Sequence, residues 1–245
     1  MSDVKPVLLL TGASRGIGHA TVKLFQERGW RLLTVSRHSS ELCGWPGAKD
    51  SHIQADLENL EGIADLAAQV RGRLADGRLH ALVNNAGISS KGPEGRRLGV
   101  METDAALWTK VLNVNLVSTA LLARALMPEL EQARGSIVNV TSIAGSRVHP
   151  FAGVAYAASK AALAALTREM AHEFGGRGVR ANAIAPGEIG TSILSEGTDE
   201  LVAEEVPMRR LGTPREVAET IYFLCSEASS YVNGSEVHIN GGQHV

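Results

Sequence analysis

At 245 residues, 44% hydrophobic and 20% charged, the chain has enough apolar material for one large core and reads as one domain spanning 1–245. Its formal charge is −2, and its 18 Arg and 6 Lys are scattered instead of blocked, which argues against a nucleic-acid partner. Cys43 and Cys225 lack C-x-x-C spacing and the eight His lack H-E-x-x-H spacing, so neither a disulfide framework nor a zinc motif is indicated.

Met1 to Pro6 is polar, and the apolar run Val7 to Leu10 stops at Thr11-Gly12. That run is too short for a signal or membrane-spanning segment, so the expectation is a cytoplasmic protein with no membrane partner. Val7 to Leu10 is predicted as a first, fully buried strand. Arg15 to Arg28 follows as a helix with Ile17, Ala20, Leu24 and Phe25 at helical spacing and Gly29 as its stop. Arg31 to Val35 is the second strand. Ile53 with its neighbours, Ala81 to Val83, Ile137 to Val140, Arg180 to Ala185 and Glu236 to Ile239 supply five more.

Helices are predicted over Asn59 to Val70, Leu112 to Leu130, Ala155 to Phe174 and Pro214 to Cys225, the last with proline in its first turn. Strand and helix alternating from end to end predict an α/β doubly wound Rossmann fold: a seven-stranded parallel sheet with helices on both faces. Two stretches break the rhythm, Ser89 to Val100 and Glu188 to Leu211. Both follow strands at the carboxyl edge of the sheet, where open α/β sheets bind ligands, so substrate is expected between them with 188–211 as a lid.

Strand, then Thr11-Gly12-Ala13-Ser14-Arg15-Gly16-Ile17-Gly18, then helix is the context a dinucleotide pyrophosphate needs. Glycines admit the phosphate to the backbone, and the free N–H groups of the helix start face the anion. The G-x-x-x-G-x-G spacing alone is weak, with roughly 0.3 matches expected by chance, so its position at the first strand-to-helix turn carries the argument. Tyr156-Ala157-Ala158-Ser159-Lys160 puts a phenol and an ammonium at i and i+4 on one helix face. A free phenol titrates near 10, and a cation about 5 Å away is expected to favour phenolate by about 2 pK units.

Together and in this order these motifs resemble the short-chain dehydrogenase/reductase family, over essentially the whole chain. Asn84-Asn85-Ala86-Gly87 resembles the family's N-N-A-G element, which borders the cofactor. Ser142 resembles its catalytic serine, 14 residues before Tyr156. The family's catalytic asparagine maps to Asn115, with Asn113 as rival. Pro186-Gly187-Glu188-Ile189-Gly190-Thr191 resembles the P-G-x-I-x-T segment, whose Ile backbone and Thr hydroxyl hold the nicotinamide carboxamide, and Asp56 matches the acidic position beside adenine.

The resemblance implies a hydride exchange between nicotinamide and a small carbonyl or alcohol substrate. Tyr156 is then the proton donor, Ser142 bonds the same oxygen, Lys160 binds the nicotinamide ribose, and Asn115 holds water behind Lys160. The cofactor-binding set comprises Gly12, Ser14, Arg15, Gly16, Ile17, Gly18, Arg37, Asp56, Asn85, Ala86, Gly87, Tyr156, Lys160, Pro186, Gly187, Ile189 and Thr191. Ser36 stands where NAD-preferring members carry an acid, and Arg37 and Arg15 can converge on a 2′-phosphate, so NADPH is the expected cofactor in preference to NADH.

Plain structural alternatives accompany each assignment: Ser142 as a turn cap, Asn115 as a helix amide bonded to backbone, Thr191 and Asp56 as helix caps. Functional alternatives are a 3-oxoacyl-thioester (acyl-carrier-protein) reductase, for which Arg177 and Arg134 are suitably sited, and a catalytically silent nucleotide-binding protein. Similar proteins assemble as homotetramers, here through Leu112 to Leu130 with Ala155 to Phe174, and through Pro214 to Cys225 with the final strand. Arg147, His149 and Glu188 suggest a polar pocket wall, though each is equally suited to face solvent.

Overall fold

The computed structural model describes residues 5–37, 48–191 and 197–245. Seven parallel strands form one sheet in the order β3-β2-β1-β4-β5-β6-β7. They are β1 (Val7–Thr11), β2 (Arg31–Ser36), β3 (His52–Gln54), β4 (Ala81–Asn84), β5 (Ser136–Val140), β6 (Arg180–Pro186) and β7 (Glu236–Ile239). The order reverses between β1 and β4, and the helices of the described residues cover both faces of the sheet, as the alternating pattern predicts.

β1 is apolar at every position from Val7 to Leu10 because both of its faces are covered. Leu8 and Leu10 join one core with Val22, Phe25, Val217 and Ile221. Val7 and Leu9 join the other with Leu66, Val70, Leu122 and Met170. The first core lies under α1 (Gly16–Glu27) and α9 (Pro214–Cys225), which pack on each other; the second lies under α3 (Ile63–Arg71), α5 (Ser118–Ala125) and α7 (Val154–Gly175). α2 (Ala48–Ser51) is a single turn before β3. At α9, Thr213 and Glu216 form a reciprocal capping box, with Pro214 in the first turn.

The helix predicted over Leu112 to Leu130 is instead a broken run. α4 (Ala105–Leu112) begins earlier, capped by Asp104, whose carboxylate accepts from the Leu107 N–H at 2.8 Å. A π turn follows over Asn113–Val117, closed by the Ser118 N–H on the Asn113 carbonyl. α5 ends at Ala125 and α6 (Met127–Ala133) restarts. Pro128 explains the second break: it has no N–H for the Arg124 carbonyl and its ring opposes continuation. The run Ala105–Ala125 is long and apolar enough to cross a membrane by length and composition, and here it packs on α3 and α7. α3 also starts later than expected, at Ile63, after a turn in which the Gly62 N–H bonds to the Asn59 carbonyl.

Candidate active site

The carboxyl ends of β1, β2, β4, β5 and β6 open into a cavity of about 630 Å³. Every residue assigned to the site from the sequence lines it except Asn115.

One end is made of backbone. Gly12 takes φ +72°, and a Cβ there would lie 2.8 Å from the Ala86 Cα. A Cβ on Gly18 would collide with the Gly12 carbonyl oxygen and press on the Asn85 amide nitrogen at 2.7 Å. The turn is braced from β4. The Thr11 hydroxyl oxygen accepts from the backbone N–H groups of Asn85 and Ala86, both at 3.1 Å. The Asn85 amide donates to the carbonyls of Thr11 and Gly12 at 3.1 and 2.9 Å. Thr191 reaches this end too, with its methyl 3.3 Å from where a Gly16 Cβ would stand. Such a cradle, closed to side chains and open to an anion at a helix start, fits a dinucleotide pyrophosphate.

At the end of β2, Ser36 is half-buried, with its hydroxyl 3.4 Å from His52 Nε2, while His52 Nδ1 lies 3.0 Å from the Thr34 hydroxyl. Arg37 and Arg15 are both exposed on the same cavity wall. Asp56 accepts from the Glu58 N–H at 3.0 Å in a turn while lining the cavity; it does not cap α3, whose N-cap is Gly62. Glu58 and Lys110, ion-paired at 3.0 Å, complete this wall. They are 52 positions apart, and no sequence pattern links them.

Toward the middle, the Ser142 hydroxyl hydrogen-bonds the Tyr156 phenol and also caps the next turn by accepting from the Ala144 N–H at 3.2 Å. Lys160 is buried, with Nζ 5.6 Å from the Tyr156 ring centroid and donating to the Val140 carbonyl at 2.7 Å. The expected lowering of the phenol is not met. Burial pushes Tyr156 above its ordinary value, opposed only by the bond from Ser142, and burial also pushes the Lys160 ammonium down to about 8. Desolvation, which the i and i+4 spacing does not record, acts on both partners.

Asn115 is fully buried in the π turn and committed to the scaffold. Its oxygen accepts from the Ile88 N–H at 2.8 Å, and its nitrogen donates to the Ile88 carbonyl and the Ser159 hydroxyl, both at 3.0 Å. These bonds give its amide the plain scaffold role foreseen as the alternative, a helix amide bonded to backbone. Its polar atoms tie the loop after β4 to α7, one turn from Tyr156 and Lys160. Asn84, Asn139 and Thr167 form a second buried chain across the sheet, at 2.8 and 2.9 Å.

Glu188 also lines the cavity, and it is held by a side-chain pair. His149 Nε2 lies 2.6 Å from Glu188 Oε1, and both side chains are nearly buried. Arg147 donates to the Gln243 carbonyl at 2.7 Å and pairs with Glu205 at 2.8 Å on α8 (Thr198–Glu205). The stems of the predicted lid are zipped together: the Gly212 N–H bonds to the Glu188 carbonyl at 2.9 Å and the Gly190 N–H to the Gly212 carbonyl at 2.8 Å. Within the predicted 188–211 segment, residues 192–196 lie outside the described ones.

Residues 12–244 match the family model described as Enoyl-(Acyl carrier protein) reductase. The chain is 56% identical over 241 residues to Protein FixR of Bradyrhizobium diazoefficiens, covering 98% of this chain and 87% of that protein. It is 36% identical to the 3-oxoacyl-[acyl-carrier-protein] reductase FabG of Thermotoga maritima, covering 96% of each. Among solved structures, an oxidoreductase (short chain dehydrogenase/reductase family) from Brucella ovis in complex with a partially ordered NAD superposes with a TM-score of 0.84 at 56% identity, covering 97% of this chain and all of that one. The chain belongs to the short-chain dehydrogenase/reductase family and is an oxidoreductase that moves a hydride between a nicotinamide cofactor and a carbonyl or alcohol group.

Proposed function

We propose that this enzyme uses NADP(H), with NADPH favoured over NADH, to interconvert a small carbonyl compound and its alcohol. The observation that carries the cofactor choice is the end of β2, where Ser36 presents a hydroxyl instead of a carboxylate and the exposed Arg37 and Arg15 share the cavity wall. Two charge-assisted contacts to a 2′-phosphate at about 1.5 to 3 kcal/mol each favour NADPH by about 10² or more after imperfect geometry. The test compares kcat/KM for NADPH and NADH in the wild-type enzyme and in Arg37→Asp. The expected result is a preference of about 10² that the variant erases or reverses; equal efficiency in the wild type overturns the reading.

In this reading the glycine turn with Ser14 and Ile17 cradles the pyrophosphate, Asp56 and Asn85 to Gly87 flank the adenosine, and Pro186, Gly187, Ile189 and Thr191 hold the carboxamide side. Bound nicotinamide supplies or receives the hydride. Tyr156 holds the proton for the substrate oxygen, Ser142 donates a hydrogen bond to the same oxygen, and Lys160 sits where a ribose hydroxyl would meet its ammonium. Asn115 acts as a positioning residue, fixing Ile88 and Ser159. The whole chain serves as one dinucleotide-binding unit, with 188–211 closing over substrate. The buried free thiol of Cys225 accords with a reducing cytoplasm.

A homotetramer is part of the proposal. Ala161 and Ala165 are exposed on α7, allowing close helix approach, and Phe223 on α9 and Tyr231 before β7 are exposed as well. A solution mass of four chains by light scattering is expected, and a single-chain mass overturns it. The relatives named as 3-oxoacyl-[acyl-carrier-protein] reductases support a second substrate reading, an acyl thioester presented by an acidic carrier. Arg177 is exposed near Arg134 but already paired with Glu131 at 2.6 Å. An acyl thioester in the substrate panel separates the two readings, and turnover of any member excludes a silent binding protein.

A further inference from the structure

Glu188 is a charged side chain of the cavity wall that neither the cofactor cradle nor the proton donor uses. It stands on the carboxyl edge of the sheet directly after Pro186-Gly187, on backbone fixed by the bond from the Gly212 N–H. Its side chain is only 9% exposed, yet it lines the same cavity as Ser142 and Tyr156.

A carboxylate in that position is costly to bury unless it is held. His149 holds it. Nδ1 of that ring accepts the Phe151 N–H at 3.2 Å, so the ring proton is on Nε2, which donates to Glu188 Oε1 at 2.6 Å. The Phe151 ring, edge-on at 5.8 Å, fixes the imidazole plane. Among the described residues Oε1 takes the one side-chain hydrogen bond of Glu188 and Oε2 takes none, in a residue that lines the cavity. The result is an immobilised carboxylate in the wall of the cavity that Ser142 and Tyr156 line, with one oxygen left for a further donor.

We propose that Glu188, locked by His149, is a specificity residue that accepts a hydrogen bond from a second donor on the substrate, a hydroxyl or ammonium next to the reacting carbon, and turns away substrates that place a carboxylate there. The inference rests on Tyr156 and Ser142 marking the carbonyl end of the cavity. Desolvated charge-assisted bonds of this kind discriminate by at least about tenfold, because a substrate lacking the donor leaves the carboxylate unanswered.

The test measures dissociation constants by ligand-observed NMR on the enzyme saturated with NADP⁺, using a secondary alcohol, its vicinal diol, its vicinal amino alcohol and the 2-hydroxy acid of similar size. Diol and amino alcohol are expected to bind at least about tenfold more tightly than the plain alcohol, and the hydroxy acid more weakly than any of them. Glu188→Leu should erase the ranking while keeping the plain alcohol within about threefold. Glu188→Gln, close in shape, should keep the diol preference and drop the amino alcohol to or below it, which serves if the leucine variant does not fold. Equal affinity for diol and plain alcohol in the wild type, or a ranking unchanged in both variants, overturns the inference. Turnover is followed in parallel: turnover without the ranking overturns this inference and leaves the hydride reading standing, whereas the ranking without turnover upholds the inference and shows that the reacting substrate differs from these four.

Discussion

Around the glycine turn the cavity wall is main chain, held by hydrogen bonds from Thr11 and Asn85 and intolerant of a single added carbon at Gly12 or Gly18. Around the lid it includes Glu188, a side chain held by His149 from a distant segment, while Arg147 and Glu205 pair without lining the cavity. A backbone cradle recognises what every dinucleotide shares, and it has little freedom to change. A wall that side chains line is revised one residue at a time, so the fold can keep the cofactor while the substrate varies.

The sharpest way to break that contrast is to add one methyl group at each end. Gly18→Ala drives a Cβ into the Gly12 carbonyl oxygen and the Asn85 amide, so a loss of more than about 3 kcal/mol in stability, or at least a hundredfold in cofactor affinity, is expected from denaturant titration and fluorescence binding. Gly197→Ala, at φ +83° with the Phe151 ring 3.5 Å and Glu200 Oε2 3.9 Å away, should cost about 1 to 2 kcal/mol and leave cofactor affinity unchanged. Equal costs at the two glycines would remove the distinction.

Lys160 sits where the two ends meet and carries a stability cost. Its folded value of about 8 is below the ordinary 10.5, so between those pH values the unfolded chain binds more protons and stability climbs with pH. Below pH 8 the full cost of about 3 kcal/mol is present. Lys160→Met should therefore stabilise the protein by about 2 kcal/mol at pH 7, once about 1 kcal/mol for the orphaned Val140 carbonyl is subtracted, and the gain should fade by pH 10.5 while turnover is lost. Urea titrations at the two pH values check it; a variant less stable at pH 7 contradicts it. Tyr156→Phe is expected to lower kcat by at least about 10² with cofactor affinity within a few-fold, since only the proton donor is removed. Retention of a tenth of wild-type turnover, with chemistry limiting, would contradict the assigned role.

The same contrast governs what could be read from the chain. The inner strands were legible because short apolar runs covered on both faces leave little else to be, the mixed edge strands β3 and β7 by their place in the alternation, and the glycine turn because its constraint is local. Tyr156 and Lys160 were legible because i and i+4 share a face. The direction in which Tyr156 shifts was not, since burial is a property of the assembled cavity. Nor was the His149–Glu188 pair, 39 positions apart, or the use made of Asn115, whose partners Ile88 and Ser159 come from the loop after β4 and from α7. The predicted helix over Leu112 to Leu130 failed because apolar spacing records neither Pro128's missing donor nor a widened turn.

That widened turn has a consequence for how the chain tolerates changes in length. A π turn holds one residue more than an α turn spanning the same closure, so Asn113–Val117 is in effect an insertion stored inside a helix. Removing one residue there would let the ladder close as an ordinary helix, but it would swing everything beyond it by about 100°. Leu122 and Ala123 would then leave the core, and the Asn115 position would turn from Ile88. Surface loops absorb gains and losses of single residues; this segment, though helical on both sides, has no such slack.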